Sequence, residues 1–464
     1  MIANPSSRVR SDAIAPPGTD TMNDLAATFD TLAEDAMARC TTCGRCAEVC
    51  PTARENRLDT SDPRRMVDNL IALTRDPTTT GIAADWAVGC VGSGQCSAVC
   101  PEGINVRQWV SIAKLRAQQA TVALDARKEE AARRFRTMSH AVRLLASMQM
   151  PSAELSRILA PVERRTADVL FYTGCNVLKT AHIVFNVMDI MDALGIDADV
   201  VGGPSHCCGV YQFNAGDAET YDKVGGRTFR RFQESGASRV LTWCPTCTKN
   251  FDEIEVDRAA PAFDLDHVSV FLSEHLDEMK ARFADMPPRR AVLHEHQGIG
   301  GTLGAIRSML SAVPNLTLVD LPQDSSFSYS CGGTAARYKE REAAVHHAVA
   351  EGAASVGADL LVTMYHSCHR ALAGAEAKYP FRVVNFTDVL AEALGRGRRT
   401  DFYKLYKTGG EMQEAVAAAR DYLQSNGVKV SPETIAALSE EMFTETGISG
   451  PQENFRKAFT QLAE

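Results

Sequence analysis

"CTTCGRCAEVCP" (residues 40–51) and "CVGSGQCSAVCP" (residues 90–101) decide how the first third of this chain is read. Laid over each other they agree at every cysteine but one, where Cys43 in the first is Ser93 in the second. Either the serine marks a lost ligand, or it selects a different metal centre.

The flanks of the two runs are helical. In residues 23–39, Leu25, Phe29, Leu32 and Ala36 share one face of an amphipathic helix that leads into Cys40. "DPRRMVDNLIALTRD" and "GINVRQWVSIAKLRAQQATVALDARKEEAARRFR" also read as helices, and no strand signal appears before residue 165. The cysteine runs therefore belong to a small helical domain.

Composition sets the outer bounds. The 464 residues suffice for several domains with substantial cores. A net charge of -9 argues against general nucleic-acid binding, which needs a basic footprint. The Arg133, Arg134, Arg136 and Arg396, Arg398, Arg399 clusters read as solvated faces. No apolar run has the length of a membrane span, and the N-terminus lacks the apolar core of a secretory signal. Residues 1–22 read as a disordered tail, and the location as cytoplasmic. Fourteen cysteines in a reducing compartment are read as metal ligands rather than disulfides, because they fall in regular runs.

The pattern changes at "ADVLFYTGC". From there, short β-branched runs (168–173, 198–202, 239–243, 291–294, 316–319, 359–363, 382–385) alternate with helical stretches. This is the pattern of an α/β domain with mostly parallel strands, whose ligands are expected at the strands' C-terminal ends. Cys175 follows one such strand and Cys244 another. The region reads as two repeats. The first carries Cys175, "HCCG" (206–209) and "WCPTC" (243–247). The second carries "LHEHQ" (293–297), "YSCGG" (329–333) and "MYHSC" (364–368) at closely similar offsets. The cysteines stop before residue 400. "SPETIAALSEEMF" beyond it has a Ser N-cap and Pro at the first helical position. The expected organisation is a disordered tail (1–22), a helical dicluster ferredoxin domain (23–160), an α/β domain of two repeats (165–398) and a helical tail (399–464).

"CTTCGRCAEVCP" has the bacterial ferredoxin spacing C-x2-C-x2-C-x3-C-P, in which the Cys before Pro reaches the other cluster. A structural zinc site is the alternative, though zinc sites rarely carry four cysteines followed by Pro. Cross-ligation assigns Cys40, Cys43, Cys46 and Cys100 to one [4Fe–4S] cluster and leaves Cys50, Cys90 and Cys96 for a second. The pair of runs resembles the iron–sulfur subunit of succinate dehydrogenase and fumarate reductase, where the C-x5-C-x3-C-P run holds a [3Fe–4S] cluster. The resemblance implies that Ser93 belongs to a three-iron pattern. The alternative is a four-iron cluster with the Ser93 hydroxyl or water on the fourth iron.

The array Cys175, Cys207-Cys208-Gly209, Cys244-x2-Cys247 resembles the cysteine-rich CCG domain. That domain occurs in the B-type subunit of heterodisulfide reductase, the C subunit of anaerobic glycerol-3-phosphate dehydrogenase, and iron–sulfur subunits of glycolate and lactate oxidation. Its fusion to a dicluster domain resembles the joined C-plus-B arrangement of heterodisulfide reductase. The resemblance implies a noncubane [4Fe–4S] cluster on Cys175, Cys207, Cys208, Cys244 and Cys247. Adjacent cysteines can bridge irons, and Gly209 lets the backbone turn beside them. His206 stands next to them as a packed side chain or a hydrogen-bond donor to a cluster sulfur.

The second repeat departs from this pattern. It offers His294, Glu295, His296, Cys331, His366, Cys368 and His369, as ligands for zinc or another cluster, as a substrate pocket, or as the relic of a lost site. His296 and His366 are the candidates for proton delivery. "GIGGTLG" (298–304) is a weak match to a nucleotide loop. With no flavin or nicotinamide fingerprint, electrons must pass through partners. The resemblance implies an oxidoreductase subunit that relays electrons between a flavoprotein and the CCG site, as in heterodisulfide reductase. The other reading is an electron-transfer subunit of a quinone-linked flavin dehydrogenase, brought to the inner membrane by a quinone-reactive membrane partner.

Overall fold

A computed structural model describes residues 24–55, 58–160, 168–259, 261–296, 299–321, 331, 338–409, 412–431 and 460–462. The expected disordered tail at 1–22 and most of the expected helix at 431–443 lie outside the described residues.

The N-terminal region is helical. Asp24, Asp62 and Asn105 each cap a helix by accepting a backbone N–H, for Leu25–Arg39, Pro63–Arg75 and Val106–Thr121. Pro63 occupies the first helical position, where its missing N–H costs nothing. Buried Met66, Leu70, Leu73, Trp86 and Trp109 form the core around the cysteine runs. The long helix expected across 103–136 is two. Val106–Thr121 ends in extended backbone at Val122, and Leu124–Ser147 begins anew. The second of these is buried on two sides. Met138, Val142 and Ala146 join the core of the α/β region, while Ala141, Leu144 and Leu145 meet Tyr403, Tyr406, Val416 and Ala419.

The α/β region holds two four-stranded, wholly parallel sheets. The first contains β1 (Val169–Gly174), β2 (Ala198–Gly202), β3 (Arg239–Thr242) and β4 (Asp264–His267), in the order β2-β1-β3-β4. The second contains β5 (Arg289–His294), β6 (Leu316–Leu318), β7 (Leu360–Thr363) and β8 (Arg382–Asn385), in the same order, β6-β5-β7-β8. β1 and β5 pair in register with both neighbours, as Leu170 with Asp199 and Val240, and Ala291 with Leu318 and Leu360. Their Val- and Leu-rich runs suit strands covered on both faces.

β4 is the strand that hydrophobic patterning misses. Its "DLDH" has Asp at two of four positions, a residue depleted in strands. It is held at the sheet edge by register with β3 and by Arg239, whose guanidinium reaches Asp266 at 2.9 Å. The two sheets share one core, in which Trp243 stacks on Phe386 at 5.7 Å. No described helix is long and apolar enough to cross a membrane.

Candidate functional site

Cys40, Cys43, Cys46 and Cys100 line one small cavity beneath Trp109 and Ile104. Burial, then Cys40, Cys43 and Cys100, pushes the Cys46 thiol up to about 12. Burial, then Cys90 and Cys50, likewise raises Cys96. The seven cysteines thus fall into the two groups expected from cross-ligation. Thiols packed this way ionise at a cost, and a bound cation removes that cost because a coordinating thiol is deprotonated. The donor set fits two clusters. The second group contains Cys50, which receives the Trp86 indole N–H at 3.1 Å. Ser93 stands where the first group has Cys43 and is buried. The backbone repeats as well. Thr42 and Gly44 in one run, and Gly92 and Gly94 in the other, take positive φ.

The five cysteines of the first sheet lie at strand ends. Cys175 follows β1, Cys207 and Cys208 follow β2, and Cys244 and Cys247 follow β3. In a sheet of this order, β1 and β3 flank the point where connections leave to opposite faces, the usual ligand crevice. All five are buried and in thiol-to-thiol contact, running Cys175, Cys207, Cys208, Cys247, Cys244. Hydrogen bonds from Cys207 and Cys247 outweigh burial and lower Cys208 to about 6. Cys247 does the same for Cys244, to about 7. The set supplies five donors within reach of one centre and fits a cluster of several irons. Gly174 permits this approach. Its φ is +75°, and a Cβ there would meet the Cys244 Cβ at 3.1 Å and the Cys247 Sγ at 3.4 Å.

His206 is packed rather than aimed at the sulfurs. Its Nε2 meets the Ala160 carbonyl at 3.0 Å, and burial lowers its pKa. The cysteines are instead met by the Gly209 N–H, 3.4 Å from Cys207 Sγ, and by the Tyr172 hydroxyl, 3.8 Å from Cys247 Sγ.

In the second sheet, four of the expected residues converge. His294 and His296 lie at the end of β5, Cys331 lies beyond β6, and Cys368 is in the helix after β7. His294 Nε2 is 3.4 Å and His296 Nε2 3.5 Å from Cys331 Sγ, and His296 Nε2 is 2.9 Å from Cys368 Sγ. Burial alone would raise Cys368, but Cys331 and His296 hold it well below the usual thiol range. Burial keeps the His294 imidazole neutral. Glu295 is turned away, paired with Arg307. His369 binds Asp401 at 2.6 Å. Sequence reasoning missed His346, whose Nε2 lies 3.4 Å from Cys331 Sγ and 3.1 Å from a Glu342 oxygen. It sits on helix Lys339–Ser355, where it and the adjacent His347 stand among Ala and Glu with no metal-ligand spacing.

One cavity joins these parts. The five cysteines, with Cys331, His366 and Cys368, border a volume of about 690 Å³ that extends to Cys90 and Gly92. Lys114, Lys179, Lys249, Arg127, Arg133, Arg134 and Arg370 line it, against Glu130 as the one carboxylate among the described lining residues. His366 Nδ1 accepts the Trp243 indole N–H at 3.2 Å, which leaves the imidazole proton on Nε2. A second cavity, of about 670 Å³, borders Arg398 and Arg399 and has no cysteine in its wall among the described residues.

Residues 36–104 match the family model of the 4Fe-4S dicluster domain, and residues 169–252 that of the cysteine-rich domain. The D subunit of dihydromethanophenazine:CoB–CoM heterodisulfide reductase from Methanosarcina mazei is 23% identical over 393 residues, covering 77% of this chain and 93% of that protein. Its counterpart from Methanosarcina barkeri is 25% identical over 247 residues, covering 49% of this chain and 59% of that protein. The B subunit of fumarate reductase (CoM/CoB) from Methanothermobacter marburgensis is 22% identical over 346 residues, 71% of this chain and 66% of that one. The chain is homologous to these oxidoreductase components and is an iron–sulfur protein similar to the D subunit of heterodisulfide reductase.

Proposed function

We propose that this chain reduces an anionic disulfide at the cavity beside Cys175, Cys207, Cys208, Cys244 and Cys247. The observation that carries the reading is the cavity of about 690 Å³, which places all five cysteines and a basic wall on one space. In this reading the two sheets are copies of one unit, within the domains 23–160, 165–398 and 399–464. Cys40, Cys43, Cys46 and Cys100 would hold a [4Fe–4S] cluster, Cys50, Cys90 and Cys96 a [3Fe–4S] cluster, and the five cysteines a noncubane [4Fe–4S] cluster. When bound, such clusters supply one-electron transfers.

Cleaving a disulfide takes two electrons and two protons and yields two thiols. The electrons come from a redox partner, a flavoprotein or a quinone-reactive membrane protein to which this cytoplasmic chain docks. The chain's own groups bind and orient the substrate. Lys179 and Arg370, both buried on the cavity wall, favour negative charge there. Of the two histidines considered for proton delivery, His366 borders the cavity, and its Nε2–H can donate to a bound sulfur. His296 is engaged with Cys331 and Cys368.

The test is disulfide reduction by anaerobically purified protein, with a reduced viologen in place of the partner. Cys208→Ala should lose the iron of the five-cysteine site and all turnover, while the dicluster signals persist. Wild-type protein that accepts electrons yet cleaves no anionic disulfide would leave an electron carrier without a substrate site.

A further inference from the structure

The residues that make the second sheet differ from the first also make it a site. His294 and His296 end β5, and Cys368 follows β7. β5 and β7 are neighbours in an order identical to that of the first sheet, so these residues flank the same kind of crevice as Cys175 and Cys244. Cys331 comes after β6, as Cys207 and Cys208 come after β2. The position of the ligands is kept and their chemistry is changed.

We propose that His294, His296, Cys331 and Cys368 bind one zinc ion. The four donor atoms lie within 4.8 Å of one another. Zinc–sulfur bonds of about 2.3 Å and zinc–nitrogen bonds of about 2.0–2.1 Å place the donors of a tetrahedron roughly 3.4–3.8 Å apart. His294 and His296 stand 3.4 and 3.5 Å from Cys331 Sγ, and the 2.9 Å between His296 and Cys368 opens to that range with a small rotation. Two thiolates are too few for the multi-iron centre that five cysteines can hold in the first sheet, whereas two imidazoles with two thiolates make a common tetrahedral zinc set.

His346 completes the surroundings. Its Nε2 lies between Cys331 Sγ at 3.4 Å and a Glu342 oxygen at 3.1 Å, as expected of a group that orients a ligand. All four proposed ligands are buried. Four protein donors leave no open position, so the ion is structural. It ties Cys331 to the ends of β5 and β7 beside the cavity, and takes no electrons.

The proposal does not depend on the substrate of the first sheet. The test is elemental analysis of the full-length chain, purified without oxygen after growth with both zinc and iron. One zinc per chain that survives mild chelation is expected, with a zinc X-ray absorption edge showing two sulfur and two nitrogen neighbours. His294→Ala and Cys368→Ser should each lose the zinc and keep the dicluster iron. Should these variants fail to fold, the wild-type spectrum decides alone. His346→Ala should weaken zinc retention without removing it. Wild-type protein with full iron and no zinc, iron found on these four residues, or a zinc shell other than two sulfurs and two nitrogens overturns the proposal.

Discussion

Arg107 Nε donates to Glu253 Oε1 at 2.6 Å, across the boundary between the dicluster region and the first sheet. The side chains are 12% and 4% exposed. Asn105 Nδ2 donates to the same Glu253 oxygen at 3.0 Å. Burial would lower the Arg107 pKa, but Glu253 raises it further, so the cation persists beside Cys96. The pair fastens the helical N-terminal region to the first sheet's region, next to Cys96.

Glu253→Gln should therefore cost more than a surface ion pair. It removes the carboxylate in direct contact with the buried Arg107 charge and leaves only weaker support such as Asp252, a loss of up to about 3–5 kcal/mol. Adding Arg107→Met should recover much of it, since an apolar pair of similar size avoids the buried charge. The thermal midpoint of the holoprotein at one scan rate reads this out. A single variant that matches wild type would show the fastener to be dispensable.

His267 predicts a pH dependence. Its Nε2 meets the Trp243 carbonyl at 2.7 Å, and its Nδ1 accepts the Ser269 N–H at 3.2 Å. That arrangement needs the neutral ring. Burial lowers its pKa to about 4, against the opposing pull of the Trp243 carbonyl. In the unfolded chain the ring titrates near about 6.5. Below that pH the unfolded chain takes up a proton that the folded one refuses. The contribution is whole above about 6.5 and is lost as pH falls toward about 4, by roughly 3 kcal/mol. Denaturation of wild type and His267→Gln across this window should show a flatter slope for the variant. Buried His182, His294 and His366 act in the same direction, so the difference between the two slopes isolates His267. Parallel slopes would remove His267 from the account.

Much of the site was legible because cluster ligands obey spacing. The two Cys-Pro runs, the Cys-Cys-Gly and the Cys244-x2-Cys247 step all mark places where the backbone must bring several sulfurs to one centre. Most strands were legible because covered parallel strands are apolar on both faces. β4 was not, since Asp264 and Asp266 hide an edge strand that pairing and Arg239 hold in place. Nor was the break at Val122, where the sequence has neither Gly nor Pro and the helix stops in extended backbone. Glu295 and His369 looked like ligands because they adjoin His294, His296 and Cys368. Only contacts distant in sequence, with Arg307 and Asp401, show them pointing elsewhere.

Ser93 tests the cluster types. It occupies the place of Cys43 in the run that supplies Cys90 and Cys96, and it is 8% exposed. If the second group holds three irons, oxidised wild-type protein should give the electron paramagnetic resonance of a [3Fe–4S] centre. Ser93→Cys should convert it to a four-iron centre that is silent when oxidised and paramagnetic when reduced. A wild-type protein showing only four-iron signals would place the serine oxygen or water on a fourth iron instead.

The last prediction concerns Lys249. It is on the helix that carries Cys247, and its Nζ lies 2.5 Å from where a Cβ on Gly92 would sit. Lys249 thus stands between the loop of Cys90 and the five-cysteine site, on the wall of the shared cavity. A cation there could hold an anionic substrate or shift the potential of a nearby cluster. The two roles separate by substrate. If Lys249 binds charge on the disulfide, Lys249→Gln should raise KM for a dianionic disulfide about 5- to 30-fold, the loss of a charged contact worth roughly 1–2 kcal/mol. KM for a neutral disulfide should stay unchanged, and added salt should weaken the wild type toward the variant. If both disulfides lose kcat equally with KM intact, Lys249 acts on electron transfer between the two regions, and recognition of the anion rests on Lys179 and Arg370.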